Sequence, residues 1–315
     1  MVDSTPCPAL PANPSVRPLR LLPPALLGVL SGLLLGLNTV LTFSLMLPPA
    51  LVKRVLPAAR RPCDRLLNGL ATGWVEINSR WLAGSQPVPW QVEGTDELNP
   101  RGWYLVLPNH RSWVDILVLQ RVFQHRIPFL KFFLKQELIW VPVIGLAWWA
   151  LDFPFMKRGN TRGARAADLA TTRQACEKFR FVPTSVINFV EGTRFTAAKQ
   201  AEQNSPYRHL LKPKVGALGI ALATMGEQFE ALLDVTLIYP DGTPSFWDLM
   251  TGRNGRVQVL VQRREIPADL VGGDPGSDKA LRARIATWIE GVWTEKDALI
   301  AQRLGERSAS GVNGG

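Results

Sequence analysis

The chain has 315 residues, 46% of them hydrophobic and 20% charged, which is enough to bury a sizeable core and excludes a disordered chain. Lysine and arginine number 36 against 26 acids, a net charge of +10, so its natural partners are anionic: a phospholipid surface, a phosphorylated small molecule or nucleic acid. Cys7, Cys63 and Cys176 are scattered, fit no metal-binding spacing and form no disulfide framework, so they read as reduced bystanders. With three histidines (His110, His125, His209) and neither HExxH nor CxxC, no metal site is expected, and GxSxG and GxGxxG are absent.

Residues 1–20 read as a flexible N-terminus. Leu21 to Val52 then carries no charge, beyond the about 20 apolar residues a spanning helix needs. A cleaved signal peptide fits poorly, because the stretch is too long, starts late and lacks a small-residue cleavage site. Pro23-Pro24 and Pro48-Pro49 bracket a helix of about 23 residues, roughly 35 Å long. One tilted span is the first expectation, and a re-entrant hairpin breaking near Gly36-Leu37-Asn38 is the competing geometry. Arg17 and Arg20 precede the segment while Lys53, Arg54, Arg60, Arg61 and Arg65 follow it, placing the C-terminal bulk on the cytoplasmic side, of the inner membrane in a bacterium. Gly28, Gly32 and Gly36 form a smooth face open to a second helix, or are ordinary membrane-helix glycines. Over residues 53–84, Leu67, Leu70, Trp74, Ile77 and Trp81 recur at helical spacing, which suits an interfacial amphipathic helix or, equally, a core-packing face. A linker, Gly84–Pro89, follows.

Residues 85–304 alternate apolar runs with helical patterns. Trp103–Leu107, Ile127–Phe133, Phe153–Met156, Ser185–Val190, Asp234–Tyr239 and Arg256–Val261 read as strands. Helices are expected over Val114–Phe123, Ala164–Phe179, Val215–Met225 and Lys279–Ala301. The alternation predicts an α/β fold with a mixed or mostly parallel central sheet flanked by helices, behind an N-terminal membrane segment. In the last helix Leu281, Ile285, Trp288, Ile289, Val292 and Trp293 make one apolar core stripe. Leu138–Leu151 is uncharged and too short to span, leaving burial, an acyl-chain groove or insertion into one leaflet. Residues 305–315 are polar, glycine-rich and expected to be disordered.

Two loops concentrate the chemistry. The strand ending in Leu107 runs into Pro108-Asn109-His110-Arg111-Ser112-Trp113-Val114-Asp115, so His110 stands at a strand end entering a helix. A histidine serves as general base only when its tautomer and basicity are controlled, and a carboxylate on its other ring nitrogen controls both. Asp115 is such a carboxylate, although Ser112-x-x-Asp115 also resembles a capping box. The second loop is Glu191-Gly192-Thr193-Arg194 after the strand Val186–Val190. Its flexible glycine, hydroxyl and guanidinium suit a phosphate, against the alternative of an ordinary surface Glu–Arg pair. Arg158 lies past another strand as a second phosphate cation, and Lys212 and Lys214, with Asn109, are possible substrate contacts or solvated helix-entry residues.

These blocks resemble the glycerolipid acyltransferases of the 1-acylglycerol-3-phosphate acyltransferase type. NHRSWVD matches their NHxxxxD signature, EGTR their second signature in the same order, Phe153–Arg158 their FxxR-like block, and LKPKVGAL with DVTLIYP their final block. The resemblance covers about Trp103 to Pro240 and makes residues 85–304 an acyltransferase domain. Two departures stand out: Asp152 occupies a position where the family often has glycine, and Val190 replaces the usual proline before EGTR. The resemblance implies that His110, oriented by Asp115, takes a proton from a glycerol hydroxyl attacking an acyl thioester. It implies that Arg194, Thr193, Gly192 and Arg158 hold the acceptor phosphate, and that Glu191 fixes Arg194 or touches the glycerol. The co-substrate would be acyl-CoA or an acyl carrier protein thioester, the acceptor lysophosphatidic acid, giving phosphatidic acid, or else another lysophospholipid or a lyso-aminolipid, and the setting a phospholipid membrane, with no cofactor and no nucleic acid. A membrane-anchored module that binds anionic lipid without catalysis is the alternative from another class.

Overall fold

The computed structural model describes residues 21–86, 90–132, 134–153, 155–156, 162–179 and 183–305. The expected flexible N-terminus and most of the expected disordered tail lie outside these residues, as does Arg158.

Two long helices come first. α1 (Pro24–Val55) and α2 (Arg60–Ser85) are joined by a 3-10 turn over Pro57–Ala59 and form a hairpin. Pro24 opens α1 at a position where the missing N–H has no helical partner in any case. The interface is stitched by polar groups. Asn38 Nδ2 donates to Trp74 O at 3.1 Å and to Asn78 Oδ1 at 2.8 Å, Trp74 Nε1 to Thr39 Oγ1, and Trp81 Nε1 to Ser31 Oγ. Asn38 therefore joins two helices where a break in the chain was the competing expectation, and α1 runs through it unbroken.

Pro48-Pro49 was expected to end the helix, and instead lies inside it. The tertiary anchor at the last turn supplies the reason. Lys53 is buried, with Nζ 2.9 Å from Asp64 Oδ1, 2.7 Å from Asp152 Oδ2 and 2.6 Å from Ala150 O. That cluster holds the turn beyond the two prolines, each of which costs a helix interior roughly 3 kcal/mol. Asp152 has φ +59°, the left-handed region that glycine adopts freely and aspartate tolerates. The departure from the family's usual glycine therefore keeps the backbone shape and adds a partner for Lys53.

On α2, Leu67, Ala71, Val75, Asn78 and Leu82 are buried while Leu66 and Ile77 are exposed. Of the expected stripe, Leu67 is buried, Leu70 and Trp74 are half-buried against the core, Trp81 is half-buried and Ile77 is exposed, so the stripe lies along the edge of the buried face. The smooth glycine face is used at Gly28, where an added Cβ would stand 2.8 Å from Trp247 and Thr251 side-chain atoms. Its neighbour there is a short helix of the sheet domain.

The rest follows as β1 (Gln91–Glu93), β2 (Tyr104–Pro108), α3 (Val114–Phe123), β3 (Leu130–Phe132), β4 (Leu134–Lys135), α4 (Ile144–Ala150) and β5 (Phe155–Met156). Then come α5 (Arg162–Phe179), β6 (Ser185–Ile187), α6 (Ala197–Glu202), α7 (Gly216–Met225), β7 (Ala231–Ile238), α8 (Phe246–Met250), β8 (Gln258–Arg264) and α9 (Lys279–Arg303). The main sheet has six strands in the order β1-β8-β7-β2-β6-β3. Every neighbouring pair is parallel except β7 with β8. The fold is thus α/β with a mixed, mostly parallel sheet, as expected, while β4 and β5 form a separate parallel pair.

Alternation along the strands builds two cores. Tyr104, Val106, Leu233 and Val235 pack with α1 to α4 on one face, and Leu105, Leu107 and Leu232 with α5, α7 and α9 on the other. Strand limits shift where local bonds win: Ile127 N bonds Phe123 O and Gly192 N bonds Phe189 O, so β3 starts late and β6 ends early. Leu138–Leu151 becomes a 3-10 turn followed by α4; Ala147, Ala150 and Leu151 are buried, whereas Trp140 and Leu146 are exposed. Cys176 is buried and its thiol is pushed up to about 12 by that burial, in keeping with a bystander.

Candidate active site

β7, β2, β6 and β3 all end at one edge of the sheet, and the loops leaving β2 and β6 meet there, where open α/β sheets bind ligands. His110 is the second residue after β2. Its Nδ1 lies 2.8 Å from Asp115 Oδ2, and its ring stacks on Phe189 with centroids 4.2 Å apart. The histidine side chain keeps 15% of its exposure while Asp115 is fully buried, so the imidazole edge faces the opening and the carboxylate lies behind it.

Asp115 does two jobs. Oδ2 also accepts from Arg111 N at 2.6 Å and Ser112 N at 2.9 Å, which is the carboxylate half of the capping box. The hydroxyl half is absent: Ser112 Oγ donates to Pro244 O and accepts from Val114 N. The capping and orienting readings therefore hold together, because one carboxylate closes the helix start and fixes His110. Asp115 Oδ1 accepts from Tyr239 Oη at 2.6 Å. Tyr239, one residue past β7, is buried, and its phenol is raised well above its ordinary value by burial and then by the Asp115 charge. The hydroxyl thus stays a donor.

Tyr239 was within reach of the sequence, since a polar group at the end of an apolar strand faces the site, but its partner is more than a hundred residues away. Tyr239→Phe leaves Asp115 Oδ1 without this donor in a buried site, and kcat is expected to fall about 10-fold, the scale of one hydrogen bond to a charged acceptor. Steady-state kinetics with KM little changed checks it.

Glu191 lies deeper than the resemblance implied. It is fully buried, Oε1 accepting from His110 N at 2.8 Å and Oε2 from Leu211 N at 2.9 Å. It fixes neither Arg194 nor a position open to glycerol, which corrects that expectation: it ties the His110 backbone to the segment before α7. Burial raises its carboxyl to about 7, against hydrogen bonds from Leu211 and His110 and the charges of Lys296 and Arg111 that lower it.

Asn109 is also corrected. It is fully buried, with Nδ2 on Leu237 O and Oδ1 accepting from Leu237 N, so its amide extends the β2–β7 ladder instead of meeting a substrate.

The EGTR turn sits beside the histidine through Phe195 N bonding His110 O at 2.8 Å. Gly192 has φ +67°, which suits glycine at the tip. Thr193 Oγ1 accepts from Lys199 Nζ at 2.8 Å, and Arg194 is exposed with its guanidinium 4.8 Å from the Trp113 ring centroid. Lys214 is brought in as well: its Nζ would stand 3.7 Å from a Cβ on Gly192. Arg194, Lys199 and Lys214 thus collect around one turn. Lys199 was missed by sequence reasoning because α6 is too short for a periodic signal. Lys212 is exposed between Leu211 and Lys214.

This geometry has relatives. The sequence matches the Acyltransferase family model over residues 89–240. The 1-acyl-sn-glycerol-3-phosphate acyltransferase 3 of Arabidopsis thaliana is 29% identical over 220 residues, covering 65% of this chain and 54% of that protein. The 1-acyl-sn-glycerol-3-phosphate acyltransferase delta of Homo sapiens is 25% identical over 291 residues, covering 86% of this chain and 69% of that protein. The chain spans about half the length of several curated relatives it matches, the Arabidopsis protein among them. The crystal structure of the 1-acyl-sn-glycerophosphate (LPA) acyltransferase PlsC from Thermotoga maritima superposes with a TM-score of 0.53 at 18% identity, covering 91% of this chain and 100% of that one, a likeness of fold. Residues 89–240 are thus similar to the acyltransferase family, and the flanking helices pack on the same sheet.

Proposed function

We propose that the protein is a membrane-bound O-acyltransferase that moves a fatty acyl group from a thioester to the free hydroxyl of lysophosphatidic acid, giving phosphatidic acid. The observation that carries this reading is the His110–Asp115 pair at the strand ends, linked by Phe195 N to a turn ringed by cations. With Nδ1 engaged by Asp115, Nε2 is the nitrogen that accepts the hydroxyl proton as the oxygen attacks the thioester carbonyl. The new C–O bond forms, the C–S bond breaks, and the proton passes to the departing thiolate. Thr193, Arg194 and the Gly192 backbone, with Lys199 and Lys214 beside them, hold the acceptor phosphate and so set the hydroxyl against His110. Arg158 is proposed as a further phosphate cation. The donor is acyl-CoA or an acyl carrier protein thioester, and no cofactor takes part.

Membrane attachment is supported by α1, which is long and apolar enough to cross a bilayer and exposes Leu26, Leu30, Leu33, Leu37, Leu41 and Leu45 along one face. Trp113, beside His110, and Phe246 and Trp247 of α8 are exposed too, which supports a mouth that opens toward lipid. The basic residues after α1 favour the cytoplasmic side.

The test supplies detergent-purified protein with lysophosphatidic acid and acyl-CoA, following phosphatidic acid and free thiol. Thiol release without phosphatidic acid argues for another acceptor, and no turnover on any lysolipid argues for a binding module. Arg194→Ala is expected to raise KM for lysophosphatidic acid about 10- to 100-fold with a smaller change in kcat, the scale of a lost charge-assisted hydrogen bond. Monoacylglycerol, which lacks the phosphate, should show no such change.

A further inference from the structure

Lys296 is the most deeply buried charge the site has not yet used. It lies on α9, beyond the matched segment, at 1% exposure. It continues the stripe of Ile285, Ile289, Val292 and Ile300, where a methionine would pack without the cost of burying an ammonium. Its Nζ donates to Leu107 O at 2.7 Å and to Val235 O at 2.8 Å, and lies 2.7 Å from Asp234 Oδ1. Leu107 is three residues before His110 on the chain, and Val235 four before Tyr239.

We infer that Lys296 is a positioning residue of this site: its ammonium ties β2 and β7 together beneath His110 and Tyr239, with the Glu191 carboxyl within reach of its charge. The inference rests on the reading of this site as an acyltransferase centre. The surrounding charges are accounted for. Asp234 on β7 is shared with Arg264 of β8, at 2.9 Å, and Arg264 also pairs with Glu295 at 2.7 Å. The Trp293 ring centroid is 4.5 Å from Nζ. Glu191 meets the charges of Lys296 and Arg111 and the N–H groups of His110 and Leu211. Arg264 keeps Asp234 Oδ2 paired, so removing Lys296 falls on Asp234 Oδ1, on Glu191 and on the two strands.

The experiment compares Lys296→Met, Lys296→Arg and wild type as full chains in detergent, reading kcat/KM and the unfolding midpoint against pH. Lys296→Met is expected to lower kcat/KM about 100-fold at pH 7, the scale of an ångström-level misplacement of a reacting group. It should also move the acid limb of the profile upward, and Lys296→Arg should return the limb toward wild type. The unfolding arm works without activity. A carboxyl whose folded value is raised costs stability as pH climbs toward that value. The wild-type loss therefore levels off near pH 7, whereas in Lys296→Met it continues above 7 and the gap between midpoints widens. Adding Glu191→Gln should abolish the widening. A Lys296→Met protein with an unmoved acid limb, or with a midpoint gap constant across pH, overturns the inference. If wild type shows no turnover the functional reading fails, and the unfolding arm still decides whether Lys296 holds Glu191.

Discussion

His110→Ala is expected to lower kcat/KM by about a thousandfold, the middle of the range that general base catalysis contributes. Its side chain is the edge of the dyad that keeps contact with solvent, and its loss removes the proton acceptor while leaving the anchors around it in place. Asn109 still bonds Leu237, Glu191 still accepts from the residue 110 N–H, and Phe195 N still meets the residue 110 carbonyl, because all of these use backbone or neighbouring side chains. The folded protein should therefore survive, with an unfolding midpoint close to wild type and KM for the acceptor nearly unchanged. A variant that keeps a tenth of wild-type kcat would show that the acceptor hydroxyl loses its proton elsewhere.

Asp115→Asn is the second large effect, expected at about 100-fold or more in kcat, and it differs by also costing stability. Asp115 accepts from four donors: His110 Nδ1, Arg111 N, Ser112 N and Tyr239 Oη. A carboxylate has lone pairs for all of them, whereas an amide turns an N–H₂ group toward at least one and leaves a buried donor unmatched. If the amide nitrogen takes the place of Oδ2, it faces His110 and the Arg111 and Ser112 N–H groups together, so the ring is driven to the tautomer with the proton on Nε2, which cannot take one from substrate, and the start of α3 is strained. If it takes the place of Oδ1, it faces Tyr239, whose hydroxyl can turn to accept, and the other three donors keep their oxygen. The first outcome lowers kcat and the unfolding midpoint together and the second costs less of each, so measuring the two together distinguishes them. Wild-type kcat at unchanged stability would remove Asp115 from the mechanism.

Much of the architecture was legible in local pattern. The α3 range was read residue for residue, five of the six strands of the main sheet were anticipated, and the loops that carry NHRSWVD and EGTR meet at one edge of it. These signals are local because helix periodicity, strand alternation and turn glycines act over a few residues. The misreadings came where distant partners decide. Proline pairs read as helix ends at Pro48-Pro49, yet a lysine held by Asp64 and Asp152 carries the helix past them. Glu191 reads as a surface partner for Arg194, and only the meeting of three segments turns it inward to hold His110 and Leu211.

By itself the sequence determined that the chain has a long apolar helix, a mixed α/β domain and a histidine–carboxylate pair five residues apart beside a cationic turn. Those features follow from spacing and side-chain chemistry. Only the tertiary structure decided that Asn109 is scaffold, that Tyr239 closes the far side of Asp115, and that Lys296 reaches from the last helix to β2 and β7. The reason is physical: a polar side chain bears no mark of burial in its own sequence neighbourhood, because the partner that makes burial affordable comes from another strand or helix.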